Sequence, residues 1–351
     1  MRCSLLTNHV CVHTTGEYRL CCISQEPSKD QNIRNTTPQE WTDGSYVQNI
    51  TKQFERGQWP LACEKCRLLE QAGETSKRLQ SNSLYSGTGI KFVDIRLGNT
   101  CNLRCQTCWP VSSSRIAADM ISFNKQSIAS PWDSMIPIDF ETNSNWQENI
   151  ALLDSLINVG LEEIYITGGE PFLVKNLDRI LNQLSPNTRI RFNTNGTIYN
   201  KETLKILDKF DSVQIDISVD AYGSKNDYIR VDSVWDTVEK NIKKFASRYQ
   251  VNITPTVSVY NILYLDELIK FCSSINIKCV TNPLVSPSFM SISNAPAEMK
   301  LEIKGFKFLT DIPTKKLEQR AFINFVRKTD MLRNISISDS LPEVANYYGI
   351  N

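Results

Sequence analysis

The chain has 351 residues, 41% of them hydrophobic, and 39 Lys and Arg balance 38 Asp and Glu to a formal net charge of +1. These are ordinary globular values, with room for a barrel and a small second domain. The balanced charge gives no electrostatic case for nucleic acid or a membrane surface, and two histidines do not indicate a His-based metal site or His acid–base chemistry.

The first 80 residues are rich in cysteine. Six cysteines lie there: Cys3, Cys11, Cys21, Cys22, Cys63 and Cys66. Cys63 and Cys66 form a CxxC pair, typical of a metal knuckle or a redox pair, and Gly16 permits a tight hairpin between Cys3 and Cys21. With no signal peptide or long apolar segment in the sequence, we expect a cytoplasmic protein with reduced thiols.

A second cysteine pattern follows a predicted strand. The alternating apolar run Ile90–Leu97 predicts that strand, and Gly98-Asn99-Thr100 a turn. Three cysteines come next with x3 and x2 spacing: Cys101, Cys105 and Cys108. Four thiolates complete a cubane iron-sulfur cluster, so three leave one iron open for a small ligand. On spacing alone, a structural zinc site or three unrelated buried thiols are the alternatives.

Beyond this loop, strand-like and helix-like stretches alternate. The predicted strands are Glu163–Thr167, Arg189–Asn193, Val213–Val219, Asn252–Val259 and Ile277–Asn282. The predicted helices are Trp146–Val159, Leu173–Leu184, Lys201–Phe210, Val234–Tyr249 and Leu265–Ser274. With the first strand, this order predicts an α/β fold, a partial (βα)6 TIM-like barrel of parallel strands. The cysteine loop would lie at the carboxyl end of its strand, where such barrels carry their chemistry.

The segment Gly168-Gly169-Glu170-Pro171 follows the second predicted strand. Two glycines let the backbone approach a ligand closely, and the Glu170 carboxylate can accept hydrogen bonds from an ammonium group. Pro171 suits the first turn of a helix. Alone, the segment would be an ordinary turn, but one βα unit after the three-cysteine loop it is a candidate binding segment.

Together these features resemble the radical S-adenosylmethionine (SAM) superfamily, over roughly Ile90–Leu284. The matching elements, in order, are the three-cysteine loop, the Gly-Gly-Glu-Pro segment, Asn193–Gly196, and Ile217–Ala221 with Arg230 beyond it. In that family SAM binds the open iron of a 4Fe-4S cluster and is reductively cleaved to methionine and a 5′-deoxyadenosyl radical, which takes a hydrogen atom from the substrate. The resemblance also implies a flavodoxin- or ferredoxin-type electron donor.

The resemblance assigns the cluster to Cys101, Cys105 and Cys108. It matches seven further residues to SAM-binding positions: Gly168, Gly169 and Glu170 near the amino group, Asn193 as a further contact, Ser218 and Arg230 at ribose hydroxyls and the carboxylate, and Leu284 beside adenine. A helix cap at Ser218 and a solvated or paired charge at Arg230 are the structural alternatives.

The N-terminal cysteines are similar to the auxiliary-cluster half domain, called Twitch, of SPASM/Twitch radical SAM enzymes, here placed before the barrel. The resemblance implies a second 4Fe-4S cluster on four ligands: Cys3, Cys21, Cys63 and Cys66. Cys22 is able to replace Cys21, and zinc on the same thiolates is the alternative metal.

Four cysteines remain outside both clusters. Cys11 and Cys22 are candidate catalytic thiols, because a peptide epimerase of this superfamily needs a hydrogen donor, and structural packing is their alternative. Cys272 and Cys279 fall in an apolar helix and strand and are interpreted as packing residues.

Helices are also predicted at Ala297–Leu309 and Thr314–Arg333, the second with a basic surface that is either solvated or a partner surface. We therefore predict four segments: a Twitch-like domain at 1–80, a linker at 81–89, the partial barrel at 90–285 and a helical extension at 286–351.

The expected function is radical SAM chemistry on a peptide or protein, by epimerisation, cross-linking or oxidation, where the peptide part rests on family analogy. A small-molecule substrate is one alternative. A non-enzymatic iron-sulfur or zinc protein that transfers electrons or acts as a scaffold is the other. No residue pattern selects the reaction subtype, the substrate or the oligomeric state.

Overall fold

A computed structural model describes residues 1–24, 31–87, 89–126, 130–132, 146–157 and 160–350. The strands are β1 His9–Val12, β2 Tyr18–Arg19, β3 Phe92–Arg96, β4 Glu163–Thr167, β5 Arg189–Thr194, β6 Val213–Ile217, β7 Gln250–Ile253, β8 Thr256–Val257, β9 Lys278–Cys279 and β10 Asn282–Pro283.

The α-helices are α1 Leu5–Asn8, α2 Pro38–Thr42, α3 Ser45–Glu55, α4 Glu64–Gln71, α5 Lys77–Leu84, α6 Ser114–Lys125, α7 Ile150–Ile157, α8 Leu177–Gln183, α9 Lys201–Leu207, α10 Ser224–Ile229, α11 Trp235–Ala246, α12 Leu265–Ser274, α13 Ala297–Glu302, α14 Lys307–Thr310, α15 Lys316–Arg333, α16 Ile337–Ser340 and α17 Pro342–Tyr348. Short 3-10 helices lie at Leu61–Cys63, Pro110–Ser112, Trp146–Glu148, Pro171–Leu173, Ile262–Tyr264, Ser288–Met290 and Ile292–Asn294.

The chain divides into two compact units. The first unit is Met1–Thr100, Asn143–Asn193 and Asn200–Val213, and the second unit is Cys101–Thr142, Thr194–Tyr199 and Gln214–Asn351. The predicted domain boundaries do not coincide with this division and stay a prediction. Among the described residues, no helix has both the length and the apolar character needed to cross a lipid bilayer.

In the first unit, β1, β3, β4 and β5 lie side by side in parallel, and β2 pairs antiparallel with β1. The β1–β2 hairpin turns at Gly16, whose φ is +86° and where a Cβ atom would lie 2.8 Å from Asn32 Oδ1. The predicted hairpin is therefore confirmed. The pairing of β1 with β3, in which His9 lies opposite Phe92, was not predicted, and it makes the cysteine-rich segment part of the sheet.

The strands of the first unit have one apolar and one more polar face, as the two-residue period of a strand requires. In β5, Ile190 and Phe192 are fully buried, whereas Arg191 and Asn193 are half-buried. The polar face carries ring and cation contacts, since the Arg191 guanidinium lies 4.6 Å from the centre of the Tyr165 ring on β4. This face is the one that also carries Asp94 of β3, which is opposite Tyr165 in register.

In the second unit, β6, β7 and β9 are parallel, and β8 pairs in parallel with β10. The strand predicted at Asn252–Val259 is divided into β7 and β8 because Pro255 between them has no N–H group for a ladder hydrogen bond. The helix predicted at Ala297–Leu309 is likewise divided, into α13 and α14, at Gly305, whose φ is +82°.

A large apolar cluster forms the core of the second unit, and it includes buried residues of the C-terminal helices α15 and α17. The Phe322 ring of α15 lies 4.3 Å from the Tyr348 ring of α17 and 5.0 Å from Tyr260. The helix α17 therefore packs against α15.

Each of the six predicted strands is present, and the predicted α/β class with parallel strands is confirmed. The helix predicted at Trp146–Val159 is a 3-10 turn followed by α7, and its last two residues lie outside the described residues.

Candidate active site

The three-cysteine loop belongs to the second unit, and all three of its thiols are partly buried. Burial raises the pKa of Cys105, the Arg230 guanidinium lowers it, and the Cys108 and Cys101 sulfurs are close enough to raise it further. Three neighbouring thiols are the donor set that a 4Fe-4S cluster with one open iron requires, so the residues present fit that group.

The loop is held at its start by the segment after β5. Asn195 donates from Nδ2 to Asn102 Oδ1 at 2.8 Å, and Asn102 donates from its own Nδ2 to Thr197 Oγ1 at 2.9 Å. Gly196, with φ of +74°, brings this segment so close to β6 that a Cβ atom would lie 2.7 Å from Ile217 Cγ2. The Asn-Gly segment was predicted from the sequence, but Asn102 and Thr197 were not, because the pairing of polar side chains leaves no local pattern in a sequence.

Arg230 lies beside the central cysteine of the loop. Its Nε is 2.9 Å from Asp220 Oδ2, and its Nη1 is 3.9 Å from Cys105 Sγ. Asp220 is completely buried, and its other carboxylate oxygen accepts a hydrogen bond from the Thr256 N–H at 2.8 Å. A fixed positive charge next to a thiol favours the thiolate that iron binds. Arg230 is thus a paired charge at the cluster loop; contact with SAM stays a prediction.

Gly168, Gly169 and Glu170 belong to the first unit and pack against the turn that precedes Cys101. A Cβ atom on Gly169 would lie 2.2 Å from the Thr100 carbonyl oxygen, and the Glu170 N–H donates to the same oxygen at 2.8 Å. The buried Glu170 carboxylate accepts a hydrogen bond from the Phe172 N–H at 3.2 Å. The absence of a side chain at Gly169 is therefore needed for the close approach to Thr100.

We expect Gly169→Ala to disturb the cysteine loop through Thr100, the residue before Cys101. The added methyl group cannot fit without a backbone shift, which costs roughly 1–3 kcal/mol in the free energy of unfolding and displaces Cys101, the first predicted cluster ligand. Iron retained after anaerobic reconstitution is the measurement, and Gly305→Ala is the control. Gly305 has nothing within 4 Å, so that variant bears a backbone cost alone and should keep its iron. Equal iron in the two variants would contradict the prediction.

The other predicted SAM contacts all lie at or just beyond strand ends. Asn193, near the end of β5, donates from Nδ2 to the Tyr165 hydroxyl at 3.2 Å. Ser218 follows β6, and no helix begins there, so the helix-cap alternative is wrong. Leu284 follows β10, and its side chain packs against the core of the second unit. Carboxyl ends of parallel strands are where α/β folds bind ligands.

The four predicted auxiliary-cluster ligands line one cavity in the first unit: Cys3, Cys21, Cys63 and Cys66. The pKa of Cys3 is raised to about 11 and that of Cys63 to about 12, chiefly by burial and also by the Cys66 sulfur. Burial also raises the pKa of Cys21, with contributions from Cys3 and Cys66. The fold thus brings together four thiols that are distant in sequence.

Arg78 is a cation beside these four thiols, in a cavity that Lys65 and Lys77 also line. Arg78 lines the same cavity, forms an ion pair with Glu70 and donates from Nη1 to the Arg2 carbonyl oxygen at 2.7 Å. Its positive charge lowers the pKa of Cys3 and Cys63 against the effect of burial. Four thiols in a largely apolar cavity with a nearby cation fit a 4Fe-4S cluster. Within the described residues, no three His, Cys, Asp or Glu side chains are arranged to hold a single metal ion.

Cys11 and Cys22 lie next to Asp94, on the polar side of the first unit. Cys11 of β1 is opposite Asp94 of β3 in register, and the Cys22 thiol hydrogen-bonds the Asp94 carboxyl group. The pKa of Cys22 is raised to about 11, chiefly by burial and also by the nearby Asp94. Cys21, and not its neighbour Cys22, lines the cysteine cavity. Asp94 was not predicted, although a carboxylate within the predicted strand Ile90–Leu97 was visible in the sequence.

Cys272 and Cys279 lie at the end of α12 and in β9, where their thiols hydrogen-bond each other. Cys272 is buried and Cys279 half-buried, as expected for packing residues.

Comparisons with known proteins include one match to a family model. The sequence model of the radical SAM superfamily matches residues 95–272. An uncharacterized protein of Methanocaldococcus jannaschii is 26% identical over 210 residues, which are 57% of this chain and 64% of that protein. A GTP 3′,8-cyclase of Synechocystis sp. is 29% identical over 141 residues, 40% of this chain and 36% of the cyclase. The chain therefore spans less than two thirds of either relative.

The crystal structure of Streptococcus suis SuiB bound to its precursor peptide SuiA is 15% identical, covers 85% of this chain and 64% of SuiB, and gives a TM-score of 0.37. That likeness is too distant to carry an argument about function. The family match covers half of the chain and includes the three-cysteine loop, the Gly-Gly-Glu segment and Arg230. The chain belongs to the radical SAM superfamily.

Proposed function

We propose that this protein is a radical SAM enzyme that holds its catalytic cluster on Cys101, Cys105 and Cys108 and abstracts a hydrogen atom from a peptide or protein. When bound, the cluster and SAM supply the 5′-deoxyadenosyl radical. The observation that carries the proposal is the set of three adjacent, partly buried thiols with the Arg230 guanidinium 3.9 Å from Cys105 Sγ. Arg230 favours the thiolate, and the turn at Thr100 fixes where the loop begins.

An open groove in the second unit supports a peptide substrate. The groove has a volume of about 540 Å³, and Trp109, the residue after Cys108, is one of its lining residues. Its lining combines aromatic and proline surfaces with hydroxyl and amide groups: Trp109, Ser130, Pro131, Ser286, Pro287, Ser288, Phe289, Leu317, Glu318, Ala321, Asn324, Phe325 and Lys328. Apolar surfaces suit the side chains of an extended peptide, and hydroxyl and amide groups suit its backbone.

The N-terminal cavity completes the proposal as the site of a second 4Fe-4S cluster on Cys3, Cys21, Cys63 and Cys66. Its four thiols influence one another electrostatically, which supports a shared ligand. A flavodoxin- or ferredoxin-type protein is the proposed electron donor. Cys11 and Cys22 are the proposed hydrogen-donor thiols if the reaction is an epimerisation.

A small-molecule substrate is the second candidate. The relatives named GTP 3′,8-cyclase favour it, although the Synechocystis match covers 36% of that cyclase. The two candidates make different demands on the groove, because a peptide must occupy it along its length and a nucleotide need not.

We expect a library of synthetic peptides to stimulate 5′-deoxyadenosine formation by the anaerobically reconstituted protein, and Leu317→Glu to abolish that stimulation. Leu317 is 76% exposed and lines the groove, so a charge there opposes apolar contacts with a peptide without disturbing the core. Leu301→Glu is the matched control, since Leu301 is 88% exposed on α13 and does not line the groove. The measurement is chromatographic quantification of 5′-deoxyadenosine with peptides, with GTP and with neither.

Stimulation by GTP and not by peptides would replace the peptide proposal with the small-molecule candidate. Failure of the reconstituted protein to form 5′-deoxyadenosine under any of these conditions would overturn the enzyme proposal in favour of an electron-transfer or scaffold protein.

A further inference from the structure

The two residues that flank Cys105 are fixed on both sides by backbone hydrogen bonds. The Arg104 N–H donates to the Val231 carbonyl oxygen at 3.0 Å, and the Gln106 N–H donates to the Ile229 carbonyl oxygen at 2.7 Å. The loop around the central cysteine is therefore paired with the segment that carries Arg230.

The side chains of Arg104 and Gln106 join a network that reaches the end of α15. Arg104 forms ion pairs with Asp232 at 2.7 Å and with Asp119 at 3.5 Å. The Arg333 Nε is 2.8 Å from Asp119 Oδ2, and its Nη1 donates to Gln106 Oε1 at 2.9 Å. Arg333 thus contacts Gln106 of the loop and Asp119 of α6, which both lie more than 200 positions earlier in the chain.

Arg333, Gln106 and Asp119 are the buried members of this network. The Arg333 side chain is fully buried and Gln106 is 0% exposed, while the Asp119 side chain is 9% exposed. The Arg333 guanidinium also lies 5.7 Å from the centre of the Trp132 ring. A buried ion pair with hydrogen bonds holds one geometry, and removal of one member leaves the other charge without compensation.

We propose that Arg333 is a positioning residue for the catalytic cluster, acting through Gln106 and Asp119 on the loop around Cys105. This inference rests on the proposed role of the three-cysteine loop. Arg333 lies 61 residues beyond position 272, where the family match ends, so the proposed contact belongs to the C-terminal helices of this chain rather than to the matched domain. These helices would then form part of the cluster site as well as a wall of the groove.

The test compares Arg333→Met, Arg333→Lys and Arg327→Met in the full chain after anaerobic reconstitution. Arg327 is exposed on the same helix, six residues earlier, and serves as the matched control. Two readouts are independent of turnover: the rate at which a chelator removes iron, and the electron paramagnetic resonance spectrum of the reduced cluster with and without SAM. The thermal unfolding midpoint of the iron-free protein reports any general loss of stability.

We expect Arg333→Met to lose about four irons roughly 10- to 100-fold faster than wild type and to alter the SAM-dependent spectrum, as is usual when a residue supporting a metal ligand is removed. Arg333→Lys keeps the charge opposite Asp119 and should recover part of the effect, and Arg327→Met should behave as wild type. Wild-type iron loss and spectrum in Arg333→Met would overturn the inference, even if its unfolding midpoint fell. If the wild-type protein bound no SAM-responsive cluster, the proposed function itself would fail, which is a separate result.

Discussion

Replacing Cys101, Cys105 and Cys108 together by alanine is expected to lower the iron content from about eight to about four per chain and to abolish 5′-deoxyadenosine formation. The physical reason is that these three thiols are the proposed donor set of the catalytic cluster, and an alanine side chain cannot bind iron. The measurement is iron and sulfide content together with 5′-deoxyadenosine yield after anaerobic reconstitution.

The control for this variant is Cys279→Ala, which removes a half-buried thiol outside both proposed clusters. That variant should keep about eight irons and its 5′-deoxyadenosine yield, because a small packing change in β9 does not reach either donor set. The prediction fails if the triple variant still forms 5′-deoxyadenosine, or if its iron content equals that of wild type.

Replacing Cys63 and Cys66 by alanine is expected to remove the other four irons, about half of the total, while 5′-deoxyadenosine formation continues. These two thiols lie on neighbouring turns at the start of α4 and supply half of the ligands of the N-terminal cavity.

Metal analysis distinguishes a 4Fe-4S cluster from a zinc ion at the N-terminal site. Zinc lost from the Cys63/Cys66 variant with unchanged iron would show a zinc scaffold in place of a second cluster. Cys272→Ala serves as the control in this case, since its thiol is buried in α12 of the second unit and should affect neither metal.

Regular elements were predictable from the sequence where periodicity was strong. The strand Glu163–Thr167 and the helix Leu265–Ser274 have the predicted bounds, because each combines a clear apolar period with polar ends. The strand predicted at Asn252–Val259 is interrupted at Pro255, although this proline was visible in the sequence. The helix α6 was not predicted, although Ile116, Met120 and Phe123 have the i, i+4, i+7 spacing of a helical face.

Candidate ligands were more predictable than the residues that hold them. Spacing around Gly16 and the CxxC pair indicated four thiols that the fold does bring to one cavity. By contrast, Arg333 and Asp119 are unremarkable charges on two amphipathic helices, and only the tertiary structure pairs them. Long-range pairing of charges leaves no local pattern, so no reading of α6 or α15 alone could have related either residue to Cys105.

The parallel pairing of β1 with β3 sets an order of events during synthesis. Phe92 is made 83 positions after His9, its partner in the sheet. At about 5–20 residues per second, the nascent chain waits about 4–17 s for that partner, and pairing over such a separation is slow in itself. Five of the six N-terminal cysteines are translated within this interval, and Cys3 is translated just before it. The four thiols of the cysteine cavity in the first unit are thus accessible to oxidants and to competing metals until the sheet forms. The chain is therefore most sensitive to oxidation and to binding of the wrong metal during its synthesis.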